Sequence, residues 1–131
     1  MANSEISLDQ KVYGLLKKGL DASSLRSKTS ANNIANINTK GYKRFYVTFE
    51  DSLKDSEDQL KLTDNRHIPY GNNSGEAKVQ QDTATSMRED GNNVDIDNEM
   101  ANQAANTLMY NALVTQVSNR LAITKYVIDG K

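Results

Sequence analysis

In the last third of the chain Met100, Thr107, Val114, Leu121 and Ile128 recur every seven residues, with Tyr110 and Val117 three places after Thr107 and Val114. A period of seven keeps side chains on one line of an α-helix, and that line must be covered by a second helix, because an isolated helix gains too little from its own backbone bonds. The pattern predicts a helix over about 97–128, roughly 48 Å long at 1.5 Å per residue. Asp95, Asp97 and Asn98 bring capping oxygens to its start, and Glu99 brings negative charge to the first turn, where the helix dipole favours it. Gln103 and Thr124 are polar at seam positions, which weakens a two-stranded pair. Two readings of the seam therefore stand together, packing within one chain and contact between subunits.

A partner helix is available in the first third. Leu8, Val12, Leu15, Leu16 and Leu20 make a thin stripe that continues through small residues to Ala31, Ile34 and Ala35. Ser7 is placed to cap its start, and Gly41 marks its far boundary. Between the helices, residues 51–93 are rich in polar, glycine and asparagine residues and bury little. At the head of this stretch, "YKRFYVTFE" with Tyr42, Phe45, Val47 and Phe49 has the alternation of a short strand or hairpin edge. The expected fold is mainly α, one domain in three parts: an N-terminal helix in residues 1–41, a polar, flexible or partly β segment in 42–95, and a heptad helix in 96–131. The two long terminal helices pair as an antiparallel coiled-coil hairpin, or with copies from other chains.

Composition limits what such a hairpin can do. Of 131 residues only 37% are hydrophobic and 6% aromatic, with a mean hydropathy of −0.71, so little large side-chain area offsets chain entropy. A net charge of −1 gives no broad basic field for nucleic acid. No apolar run approaches the roughly 18 residues of a spanning helix, and the start lacks the basic and apolar regions of a cleaved signal. Cysteine is absent, and His67 is a lone histidine in a polar loop, where solvation is the ordinary state. "REDGNNVDIDNE" clusters Glu89, Asp90, Asp95, Asp97 and Glu99, but a calcium loop beginning at Asp90 needs an oxygen ligand fifth and glycine sixth, where Val94 and Asp95 stand. Capping of the following helix is the better reading. Asp95 and Asp97 have no apolar surround to shift their pKa values, so neither an enzyme nor a cofactor is expected. Lys11, Lys17, Lys18, Arg26 and Lys28 read as a solvated helix face.

The stretch "SANNIANINTKGYKR", Ser30 to Arg44, crowds four asparagines into nine residues, although asparagine is a poor helix former. Ala31, Asn32, Asn33, Ala35, Asn36, Thr39, Gly41, Tyr42 and Lys43 fall in register with a pattern of the form A-N-N-x-A-N-x-x-T-x-G-[FY]-K, which resembles the N-terminal signature of the bacterial flagellar axial proteins. Leu60, Thr63, His67 and Ile68, then Asp90, Gly91, Asn92, Val94, Asp95 and Glu99, are similar to the short B-type rod members of that family. Lys40 stands where proline is common before the signature glycine.

The resemblance implies a structural subunit of the proximal rod of the flagellar basal body, exported by the flagellar type III apparatus without a cleaved signal and assembled helically into the torque-transmitting shaft. Implied partners are copies of itself, the C-type proximal rod protein, the adaptor between rod and membrane ring, and the export apparatus. A rival of another class is a free helical-hairpin binding protein, such as a type III secreted effector or a secretion chaperone. Under the leading reading Asn32, Asn33 and Asn36 are expected to hydrogen-bond across subunit interfaces, and the seam residues Met100, Thr107, Tyr110, Val114, Val117, Leu121 and Ile128 to pack in them. Thr39, Gly41, Tyr42 and Lys43 form the signature turn, with Asn38 and Gly41 serving the helix end.

Overall fold

The computed structural model describes residues 8–49, 75–86 and 88–130. In chain order its elements are helix α1 (Leu8–Ala35), strands β1 (Phe45–Thr48) and β2 (Lys78–Gln81), and helix α2 (Ile96–Asp129). The expectations for Ser7 and for Leu60, Thr63, His67 and Ile68 lie outside the described residues.

α1 and α2 run antiparallel along one another, as pairs of side-chain bonds between Ser23 and Asn106, Ser27 and Gln103, and Ser30 and Glu99 show. At 34 residues α2 is about 51 Å long. It starts one residue earlier than the sequence pattern indicates, because the Asp95 carboxylate accepts from the amides of Asp97 and Asn98 and so is the cap itself. It stops at Gly130, whose left-handed backbone (φ 66°) lets its amide bond the Tyr126 carbonyl.

α1 ends sooner than Gly41. The helical ladder stops at Ala35, and the chain continues in turns through residue 41. The Asn36 amide side chain donates to the Asn32 carbonyl, and later carbonyls are taken by side chains from elsewhere, so the backbone has no need to extend the helix. β1 pairs antiparallel with β2, Phe45 opposite Gln81 and Thr48 opposite Lys78, and lies against α1. The aromatic alternation after the signature thus does form a strand.

Among the described residues the buried apolar side chains are few: Ala22, Phe49 and Val94. The rest of the buried set is polar, namely Ser23, Thr29, Ser30, Asn33, Asn92 and Glu99. Small residues on α1 let the helices approach closely, and a Cβ added at Gly19 would stand 3.4 Å from the Leu113 side chain.

Candidate functional site

The signature turn is held by a knot of side-chain amides drawn from both ends of the chain. Asn92, fully buried, donates through Nδ2 to the carbonyls of Asn36 (2.9 Å), Ile37 (2.9 Å) and Thr39 (3.0 Å). Those carbonyls belong to the turns that follow α1, where no helical ladder supplies their donors. Its Oδ1 accepts from the Val94 amide at 2.8 Å. Asp90 and Arg88 complete the clasp: the Asp90 carbonyl accepts from Gly41 N (2.8 Å), and Arg88 donates to the Ile37 carbonyl (3.1 Å) while pairing with Asp90 (2.9 Å). Gly41 holds a left-handed conformation (φ 72°) to present its amide, which is why glycine stands there.

A second amide joins the knot to the sheet. Asn33, also fully buried, donates to the Phe45 carbonyl (2.7 Å) and accepts from the Phe45 amide (2.9 Å), so its side chain acts toward β1 as a neighbouring strand's peptide group would. It also accepts from the Tyr42 hydroxyl at 3.2 Å. Burial pushes the Tyr42 phenol above its ordinary value of 10.0, with the Glu99 carboxylate adding to the effect, which keeps the hydroxyl protonated as a donor. Tyr42 and Phe45 meet edge to face with ring centres 6.0 Å apart. Asn93 accepts from the Arg44 amide (2.7 Å) and donates to the Asp82 carbonyl (3.1 Å).

Asn33 is enclosed in its own chain, with its amide committed to Phe45 and Tyr42. Asn36 is half-buried and bonded locally, donating to the Asn32 carbonyl and accepting from the Thr39 hydroxyl at 3.2 Å, so it too serves the end of its own helix. Asn32 and Asn38 are exposed. Lys43 reaches the Ala84 carbonyl at 3.2 Å.

Glu99 does more than complement a helix dipole. It is 3% exposed, accepts from the Ser30 hydroxyl at 2.6 Å, and is paired with Arg44 at 3.0 Å. A carboxylate this buried is tolerable only when its oxygens are bonded in this way. Asp90 and Asp95 are likewise engaged by Arg88 and by helix amides, and among the described residues no group of three histidine or acidic side chains is placed to hold a metal.

The heptad residues of α2 divide. Met100, Thr107, Tyr110, Val114, Leu121 and Ile128 are exposed, Leu121 by 53% and Ile128 by 76%, while Val117 is half-buried. The line of α2 that meets α1 keeps the seam position Gln103 but otherwise runs one residue before the apolar members, through Glu99, Asn106 and Leu113. α2 therefore shows solvent a line of apolar side chains through Met100, Val114 and Leu121, while Leu108, Ile123, Tyr126 and Val127 are exposed on its other sides.

The hairpin and its Asn/Gly knot are built on the stretch by which the class of flagellar basal-body rod proteins is matched. The family model described as flagella basal body rod protein matches residues 17–43, which span the second half of α1 and the knot's first strand of chain. Flagellar basal body rod protein FlgB of Bacillus subtilis (strain 168) is 33% identical over 117 residues, covering 88% of this chain and 91% of that protein. FlgB of Borrelia hermsii is 34% identical over 81% of this chain and 83% of its own. A flagellar basal-body rod protein FlgG of Agrobacterium fabrum is 36% identical, but the match covers only 32% of that longer protein. The chain belongs to the FlgB family of flagellar basal body rod proteins.

Proposed function

We propose that the chain is a structural subunit of the proximal rod, exported by the flagellar type III apparatus without a cleaved signal and assembled helically into the shaft that transmits torque from the membrane ring. Its neighbours are further copies of itself, the C-type proximal rod protein and the adaptor to the membrane ring. It catalyses no reaction and carries no cofactor. The observation that best supports this reading is the exposed apolar face of α2 through Met100, Val114, Leu121 and Ile128, a helix surface with no covering element among the described residues. Residues 100–119 contain no charged side chain, whereas a helix that stays in water normally carries charge on its outer face. A free effector or chaperone complete as a hairpin has no need of such a face.

The test is complementation of a deletion strain, scored by swimming and by electron microscopy of isolated basal bodies. Leu121→Asp and Val114→Asp should each leave helix content unchanged in the single chain, because both positions are already exposed. Both should abolish rod completion, since assembly must then bury a charge without a partner. Normal basal bodies built from both variants would exclude this face as the assembly surface.

A further inference from the structure

α2 carries two lines of side chains capable of facing α1, and the one that does so is the more polar. The apolar line runs through Met100, Thr107, Val114 and Leu121, and the line in contact runs through Glu99, Gln103, Asn106 and Leu113. Adjacent residues on a helix differ by about 100° of rotation, so turning α2 by that angle exchanges the two. The exchange would take Met100, Val114 and Leu121 out of water and put the buried Glu99 and the half-buried Asn106 into it, with Leu113 the one large apolar side chain to move the other way.

What opposes it is a ladder of hydrogen bonds across half the seam. Ser23 Oγ donates to Asn106 Oδ1 at 2.9 Å, and Asn106 Nδ2 returns a bond to the Ser23 carbonyl at 2.9 Å. Gln103 Nε2 donates to Ser27 Oγ at 2.8 Å. Ser30 Oγ donates to Glu99 Oε2 at 2.6 Å, and Arg44 holds the other carboxylate oxygen. Ser23, Ser27 and Ser30 lie four and three residues apart on α1, and their partners Asn106, Gln103 and Glu99 lie three and four apart on α2, so both sets span seven residues, two turns of helix. The rungs fit together at one register and one rotation, and a buried polar group that loses its partner is costly.

We infer that Ser23, Ser27 and Ser30 with Glu99, Gln103 and Asn106 are specificity-determining residues that choose which face of α2 packs on α1 and thereby keep the apolar face outside. The ladder acts as a buried asparagine does in a coiled coil, fixing register and orientation at the expense of apolar burial. The inference concerns the chain alone and goes beyond the rod reading, whose failure would leave it standing.

The chain contains no cysteine, so introduced pairs report facing directly. Gly19→Cys with Leu113→Cys reports the present rotation, since Gly19 lies against the Leu113 side chain, and Gly19→Cys with Val114→Cys reports the exchanged one. In full-length protein with the ladder intact, mild oxidation should favour the 19–113 disulfide over 19–114 by about tenfold or more, the scale of a few lost hydrogen bonds. Ser23→Ala, Ser27→Ala and Ser30→Ala together should invert the preference, because the polar side chains of α2 then have no partners on α1. Ser27→Ala alone, which removes one rung and disturbs no helix, should reduce the preference several-fold. Equal yields in the intact chain, an uninverted preference in the triple variant, or no change in the single variant would overturn the inference.

Discussion

Asn92 shows how much one amide does here. Buried completely, it takes three carbonyls in the turns after α1, and Asn92→Ala removes one donor from each, leaving the Thr39 amide on Asn36, Arg88 on Ile37 and the Tyr42 amide on Thr39. Each lost bond should cost about 0.5–1.5 kcal/mol, and the Val94 amide also loses its acceptor, lowering the urea midpoint of the isolated chain. Asn32→Ala, at an exposed helical position, should leave the midpoint unchanged or raise it slightly, alanine being the better helix former by about half a kcal/mol. Tyr42 makes a pH-dependent contribution. Its folded value is raised, so the stability it supplies is fully present below the unfolded value near 10 and is lost as pH climbs through the folded one. A urea titration across alkaline pH should show that loss, and Tyr42→Phe should remove it. The crowding of asparagines was legible in the sequence as a problem, but its answer was not. Asn33 and Asn36 act on their own chain because Phe45 and the helix end come to them, a juxtaposition set by the chain's path after Gly41.

At the scale of elements, both helices could be read from the chain: the heptad gave α2 and the thinner stripe gave α1, with Asp95 as the start of the second. Which line of α2 would face α1 was hidden, because the sevenfold apolar pattern is the stronger signal and points outward. The signal that reveals the contact line is the matched seven-residue span of hydroxyls at 23, 27 and 30 with Glu99, Gln103 and Asn106, which periodicity of apolar residues alone overlooks. Arg44 was part of the signature stretch, yet its pairing with Glu99 required the fold to bring residues 55 positions apart within 3.0 Å. The strand after the signature was visible from Phe45, Val47 and Phe49; its partner Lys78–Gln81, polar and exposed along its length, carried no such pattern.

At the scale of the molecule, the few buried apolar side chains among the described residues leave the hairpin dependent on polar geometry and on whatever covers α2. Hydrogen exchange should therefore be uneven in the isolated chain. The slowest amides should belong to the knot around Asn33 and Asn92, and those of α2 beyond residue 121, where every side chain is exposed, should exchange fast. Uniformly slow exchange along α2 would show a hairpin stable by itself.

The claim that organises this account is that the outward face of α2 is made to be covered by other subunits. Val114→Cys and Leu121→Cys introduced one at a time into the cysteine-free chain, and treated with a water-soluble maleimide, test it most directly. Both thiols should label rapidly in the isolated chain, as their exposure requires, and should be strongly protected in intact basal bodies purified from complemented cells. Equally rapid labelling of both positions in completed rods would contradict the account.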